Sequence, residues 1–317
     1  MTPKVLAFSG AGRTGSTLLE ILLGQQEEFI SVGEMTRLWF NGYHKNILCG
    51  SRVPVRESEL WIAVAEEVFG GLERVDGVAI SRLSVQNLLE AFRIITNTAS
   101  AETMRRVREY ADILSKTYRA IAKISNKAVI VDASKDTRHV CVLAHTPGID
   151  LKLLHLVRDS RAVVCSWSQR QRRLDVEQEK YIYEPNTIVS AMKWNVQNFY
   201  TELLKRQYPS LFIRYEDYVL DIEKVLREIM HFTDVNVGTV ITHVDMDRIT
   251  EQHGIWGNPV RFQPNIEIKF DARWQREMSS LDRLISTIFT FPLLMRYQYA
   301  LSGSSTNTWR NLDVHSG

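Results

Sequence analysis

A few short stretches of this 317-residue chain carry residue types that can do chemistry. In the first, Gly10, Gly12 and Gly15 are interleaved with Arg13, Thr14, Ser16 and Thr17, between the apolar run Val5 to Phe8 and the apolar positions Leu18, Leu19, Ile21, Leu22 and Leu23. A buried strand, a glycine-rich turn and a helix start, in that order, aim free backbone N–H groups at a bound anion, and the helix dipole adds to the attraction. The second stretch is Gly33-Glu34-Met35-Thr36-Arg37, which follows another apolar run, Phe29 to Val32. A carboxylate leaving a strand near a phosphate loop can act as a general base; a solvated loop glutamate is the plain alternative. In the third, Asp132, Ser134 and Lys135 emerge from the apolar run Ala128 to Val131. Ligands of open parallel sheets bind at that edge. In the fourth, Arg158 closes the run Leu151 to Asp159 and Ser166 stands eight positions on. Arginine can grip a phosphate by a forked, charge-assisted contact, and a serine hydroxyl supplies another donor.

The first stretch nearly fits the nucleotide-binding pattern G-x-x-x-x-G-K-[ST]. Gly10, Gly15 and Thr17 match, but Ser16 stands where the lysine should be, and positive charge comes from Arg13 inside the loop. Ala128 to Asp132 can also be read as a strand ending in a magnesium-binding aspartate. A small-molecule kinase or other nucleotide triphosphatase therefore remains one reading, and a nucleotide-binding module without turnover another.

These residues need elements to hold them. The length allows one large α/β domain, and an apolar share of 44% is ordinary for a chain with a full core. Residues 58–126 read as mostly helical: Glu59 to Phe69 ended by Gly70-Gly71, then Val85 to Thr96, then Glu102 to Ile124. Met104, Val107, Ala111, Leu114, Tyr118 and Ile121 alternate steps of three and four, a seam expected to pack on the core rather than on a second copy. Ser160 is expected to cap a helix to about Gln171, Ile188 to Tyr208 forms an amphipathic helix, and Leu211 to Ile213 a strand. Trp39 to Pro54 reads as irregular, Asp175 to Asn186 as a mobile loop, and 301–317 as a frayed tail after one domain over 1–300. Gln169 to Arg173 is a short basic cluster, a solvated helix end or an attractor of acidic ligands. His155, mid-strand among leucines, is expected to be a packed core residue, and His253 has no partner histidine at metal-ligand spacing.

A net charge of +2 argues for no nucleic-acid or membrane partner. Cys49, Cys141 and Cys165 show no metal-type pairing and suit a reducing compartment. The chain runs almost directly into its first strand and has no apolar run near 20 residues, so a soluble cytoplasmic protein is expected.

RTGSTLL resembles the 5′-phosphosulfate loop of the sulfotransferases that use 3′-phosphoadenosine 5′-phosphosulfate (PAPS), and VRDSRAVVCSW resembles their 3′-phosphate motif. Arg214-Tyr215-Glu216-Asp217 is a further landmark, and His253 to Arg261 resembles a C-terminal cofactor loop of bacterial members. The resemblance runs from Lys4 to about Arg296 and implies the P-loop-like α/β sulfotransferase fold, a central parallel sheet flanked by helices. It implies PAPS as donor, adenosine 3′,5′-bisphosphate as product and no metal. It assigns the phosphosulfate to Arg13 and the N–H groups of Thr14, Gly15, Ser16, Thr17 and Leu18, and the 3′-phosphate to Arg158 and Ser166. Tyr215 approaches the adenine, while Gly257, Asn258 and Arg261 complete the site. Lys135 follows charge onto the leaving oxygen, and Glu34 is the base. Some members have two adjacent glutamates at this point and use the second; here that position is Met35. The acceptor is expected to be a small metabolite or natural product, shaped by residues 58–126 and 175–186.

Overall fold

The computed structural model describes residues 2–169, 171–172, 181–245, 252–263 and 266–301. Residues 302–317 of the expected frayed tail, 175–180 of the loop at 175–186 and part of the basic cluster at 169–173 lie outside the described residues.

The first strand, β1 (Lys4–Ser9), passes through the glycine turn into α1 (Ser16–Gly24), and β2 (Phe29–Gly33) follows. Helices α2 (Glu59–Phe69), α3 (Gly77–Leu83), α4 (Leu88–Ile95) and α5 (Ala101–Ser125) separate it from β3 (Val129–Asp132). Then come α6 (Thr137–Leu143), β4 (Asp150–Val157), α7 (Ser160–Ser168), the short antiparallel pair β5 (Gln171–Arg172) and β6 (Tyr181–Ile182), α8 (Thr187–Leu204) and β7 (Ser210–Arg214). After α9 (Tyr215–Leu220) and α10 (Ile222–Phe232), the helix Ser280–Arg296 is the last among the described residues.

The main sheet is parallel throughout, in the order β2-β3-β1-β4-β7. Its central strands are apolar on both faces because both are covered, as parallel sheets require. In β1, Val5 and Ala7 face the side packed by α5 and α6, while Leu6 and Phe8 face α1 and α10. The seam of α5 packs inward as expected: Val107, Ala111, Leu114, Tyr118 and Ile121 are fully buried. His155 is likewise a core residue, bonded to Asn198 Oδ1 at 2.9 Å and packed edge-on against Phe212 and Tyr297. Burial pushes its pKa down to about 4.

Several expectations are corrected. The cap of α7 is Asp159, which accepts the Arg161 N–H, and not Ser160, whose hydroxyl bonds to Thr290 Oγ1 at 2.6 Å. A carboxylate at the cap also complements the helix dipole. Only the start of the stretch expected to be irregular, Trp39 to Pro54, is wound as a π-helical segment, Leu38–His44, after a 3₁₀ turn at Met35–Arg37, and residues 45–54 are irregular as expected. A helix absent from the sequence reading, α3, is capped by Asp76, and α4 begins only at its own cap, Asn87. Among the described residues no helix is long and apolar enough to cross a membrane.

Candidate active site

Parallel strands end together, so β1, β2, β3 and β4 deliver their following residues to one edge of the sheet. A cavity of about 1430 Å³ opens there. Every site residue expected from the sequence lines it except Thr14 and Arg261.

The glycine turn forms one wall. Gly15 has φ 76°, and a side chain there would meet the Tyr215 ring at 2.8 Å, so the loop can hug that ring only with glycine. Among the described residues no side chain caps α1, whose first residues, Ser16, Thr17 and Leu18, line the cavity. The Leu18 amide is already given to the Gly15 carbonyl at 3.0 Å, which narrows the expected cradle. Thr14 is fully buried behind the loop, its hydroxyl donating to Ala11 O at 3.2 Å. The Arg13 guanidinium lies 4.8 Å from the centre of the Trp167 ring, and burial pushes its pKa down to about 10.

Opposite stands an ion pair: Lys135 Nζ is 3.3 Å from Glu34 Oε1 and also donates to Ala133 O at 2.7 Å. The position of Glu34 is set by backbone. Its N–H donates to Ile255 O at 2.7 Å, and Ile255 N–H donates to Val32 O at 2.9 Å. The segment around Ile255 thus lies against the end of β2, so close that a side chain on Gly33 would sit 2.3 Å from Ile255 N. Arg13, Lys135 and Trp256, all on the cavity wall, have φ of 65°, 55° and 62°, a left-handed backbone costing about 1–3 kcal/mol per non-glycine residue. Such strain gathers where surrounding structure holds a functional geometry.

Arg158 forms the third wall with Ser166 and Tyr215. Its guanidinium lies 4.3 Å from the Tyr215 ring centre, and it donates to Arg13 O at 3.3 Å and to Asp271 O at 2.8 Å. Asp271 Oδ2 is 3.0 Å from Arg158 Nη2, and Arg273 bonds the same carboxylate at 2.8 Å. Burial opposes ionisation of Asp271, but the Arg273 hydrogen bonds and the Arg158 charge outweigh it and hold the carboxyl well below the usual range. Arg158 Nε is buried with no hydrogen-bond partner among the described residues. The sequence reading missed Asp271. Its signal is the spacing Asp-x-Arg, which recurs at Asp136/Arg138 and Asp159/Arg161 with the same fork from arginine to aspartate.

Arg261 does not reach the cavity. Its guanidinium bonds Gly254 O at 2.9 Å and Glu20 Oε2 at 3.2 Å, both deep in the fold. Glu20 is 1% exposed on α1 and needs a buried cation, so Arg261 ties the Gly257-Asn258 turn to α1 from behind. That turn reaches the site directly: Asn258 N–H donates to Thr17 Oγ1 at 3.2 Å.

Asp132, the alternative magnesium ligand, is fully buried and accepts from Tyr118 Oη at 2.6 Å and from Ser134 N–H at 2.9 Å, with His139 Nε2 at 2.8 Å. Burial disfavours its charge, yet these groups hold its pKa below the usual value. Its lone pairs are engaged and it does not line the cavity. Asp132→Ala should therefore cost about 3–5 kcal/mol of stability, the penalty for breaking a buried charged network. A urea midpoint equal to wild type would return this carboxylate to a metal-binding role.

A family model described as "Sulfotransferase domain" matches residues 8–253. No curated protein matches the chain significantly. Among solved structures, the sulfotransferase domain of the Synechococcus PCC 7002 olefin synthase superposes with a TM-score of 0.53 at 21% identity, over 94% of this chain and 96% of that one. The sulfotransferase domain from the curacin biosynthetic pathway gives 0.47 at 16% identity, over 95% and 99%. A sulfotransferase from Mycobacterium avium gives 0.45 at 13%, over 96% and 79%. The first of these likenesses is one of fold.

Proposed function

Since this chain belongs to the sulfotransferase-domain family, with the P-loop-like fold of that family, we propose that it moves a sulfuryl group from PAPS to a hydroxyl or amine of a small molecule. The observation that carries this reading is the meeting of the Glu34–Lys135 pair, 3.3 Å apart, with Arg158 and the glycine turn on the walls of one cavity.

The residues present fit the donor. The buried Arg158 Nε, without a partner among the described residues, is a donor waiting for an anion, and the glycine turn beside it lines the same cavity. When bound, PAPS supplies the sulfuryl group and leaves as adenosine 3′,5′-bisphosphate. Arg158 and Ser166 hold the 3′-phosphate, and Tyr215 walls the nucleotide side. Arg13 and the amides of the turn hold the 5′-phosphosulfate, where fixed N–H dipoles offset its charge. Glu34 takes the proton of the acceptor, and the Lys135 ammonium neutralises the oxygen that leaves.

Calorimetry on the wild-type protein tests the reading. Adenosine 3′,5′-bisphosphate should bind without added metal and at least about tenfold more tightly than ATP with magnesium, the factor expected for one charge-assisted phosphate contact of about 1.5–3 kcal/mol. Tighter binding of ATP with magnesium would replace this reading with a kinase.

A further inference from the structure

The donor groups account for one side of the cavity. The other side is built by α8 and the start of α4. Val189, Met192, Lys193, Val196 and Gln197, at positions i, i+3, i+4, i+7 and i+8, share one face of α8 and line the cavity together with Leu88. Three of the apolar side chains are left in contact with solvent: Met192 is 52% exposed, Leu88 40% and Val189 38%. Several polar groups of this wall are already engaged, with the Gln197 amide left over among the described residues. Lys193 Nζ is 2.8 Å from Glu184 Oε2, the Arg138 guanidinium forks onto Asp136, and Asn87 Oδ1 accepts from Glu90 N–H at 2.9 Å. A sugar laid here would lose water from its hydroxyls and find few partners, which costs free energy for each buried polar group. An aliphatic or aromatic body would gain from the contact.

We propose that the α8–α4 wall is the acceptor subsite and that the acceptor is an uncharged apolar alcohol rather than a sugar. The proposal rests on the sulfotransferase reading and names its substrate class. With the apolar body on Met192, Val189 and Leu88, the hydroxyl points to the Glu34–Lys135 pair. The acceptor oxygen forms its bond to sulfur as the bond from sulfur to the 5′-phosphate oxygen breaks. The hydroxyl proton goes to Glu34, and the electron pair stays on the phosphate oxygen beside Lys135.

The test uses PAPS with 1-butanol, 1-hexanol, 1-octanol and N-acetylglucosamine as probe acceptors, and 1-octanol binding to the enzyme–bisphosphate complex by calorimetry. kcat/KM should rise about two- to fourfold per methylene, as burial of each CH₂ predicts, and N-acetylglucosamine should be the poorest acceptor. Met192→Ser should raise the KM for 1-octanol roughly tenfold and leave bisphosphate affinity within about twofold; Val189→Ser serves as an independent second variant. A flat response to chain length, a preference for the sugar, or equal loss of bisphosphate affinity in both variants would overturn the acceptor assignment. Bisphosphate binding without any octanol effect rejects the acceptor assignment alone. Absence of bisphosphate binding rejects the sulfotransferase reading and this assignment with it.

Discussion

Glu34→Gln is expected to slow sulfuryl transfer by about 10²–10⁴-fold, the usual contribution of a positioned general base, while the affinity for adenosine 3′,5′-bisphosphate stays as in wild type. The amide keeps the size of the side chain and can still accept from Lys135, which stands 3.3 Å away. The backbone bond to Ile255 O at 2.7 Å does not depend on the side chain. What is lost is the capacity to take a proton. Steady-state rates with a good acceptor, paired with calorimetry, separate the two quantities. Turnover within threefold of wild type would show that another group accepts the proton, and a parallel loss of nucleotide affinity would mean that Glu34 shapes the donor site instead. The same pair of measurements addresses the non-catalytic reading, because a binding module has no turnover to lose.

Arg158→Ala should weaken adenosine 3′,5′-bisphosphate by roughly ten- to a hundredfold, as a charged hydrogen bond of about 1.5–3 kcal/mol predicts, and should hardly affect adenosine 5′-monophosphate. The difference between these nucleotides is the group that Arg158 is proposed to hold. The neighbouring carboxylate sharpens the expectation. Asp271 Oδ2 lies 3.0 Å from Arg158 Nη2, so an incoming phosphate competes with it for the same cation. Asp271→Asn should accordingly tighten the bisphosphate and leave the monophosphate unchanged. The guanidinium of Arg158 is buried, but Asp271 also bonds Arg273, so the alanine variant does not leave that carboxylate alone in the fold. If both nucleotides weaken equally in Arg158→Ala, the arginine is a structural prop for the loop through its bond to Arg13 O and not the 3′-phosphate ligand.

Much of this site was legible because its parts are local. The glycine turn, the carboxylate after β2, the lysine after β3 and the arginine after β4 each follow an apolar run within a few residues. Parallel strands bring such positions to a common edge whatever the loops between them do. Arg261 shows the limit of that logic. It sits in the expected turn, but the buried Glu20 on α1 claims its charge, and the only hint in sequence was a carboxylate inside an otherwise apolar helix face. The Ser160 cap failed for a similar reason, since the adjacent Asp159 is the stronger acceptor.

The sequence alone determined the strand-and-helix alternation, the two-sided burial of the sheet and the residues delivered to its C-terminal edge, because apolar period and local turn chemistry act over short spans of chain. Only the tertiary structure decided which charges are paired. Asp132 is withdrawn from the site by Tyr118 and His139, and Asp271 is set on Arg158 from more than a hundred residues away. It also decided that α8 lines the cavity that Glu34 lines, because the exposed side of an amphipathic helix reads the same in sequence whether it borders solvent or a cavity. Such choices depend on which distant groups share one low-dielectric space, and that proximity is not written in the spacing of neighbours along the chain.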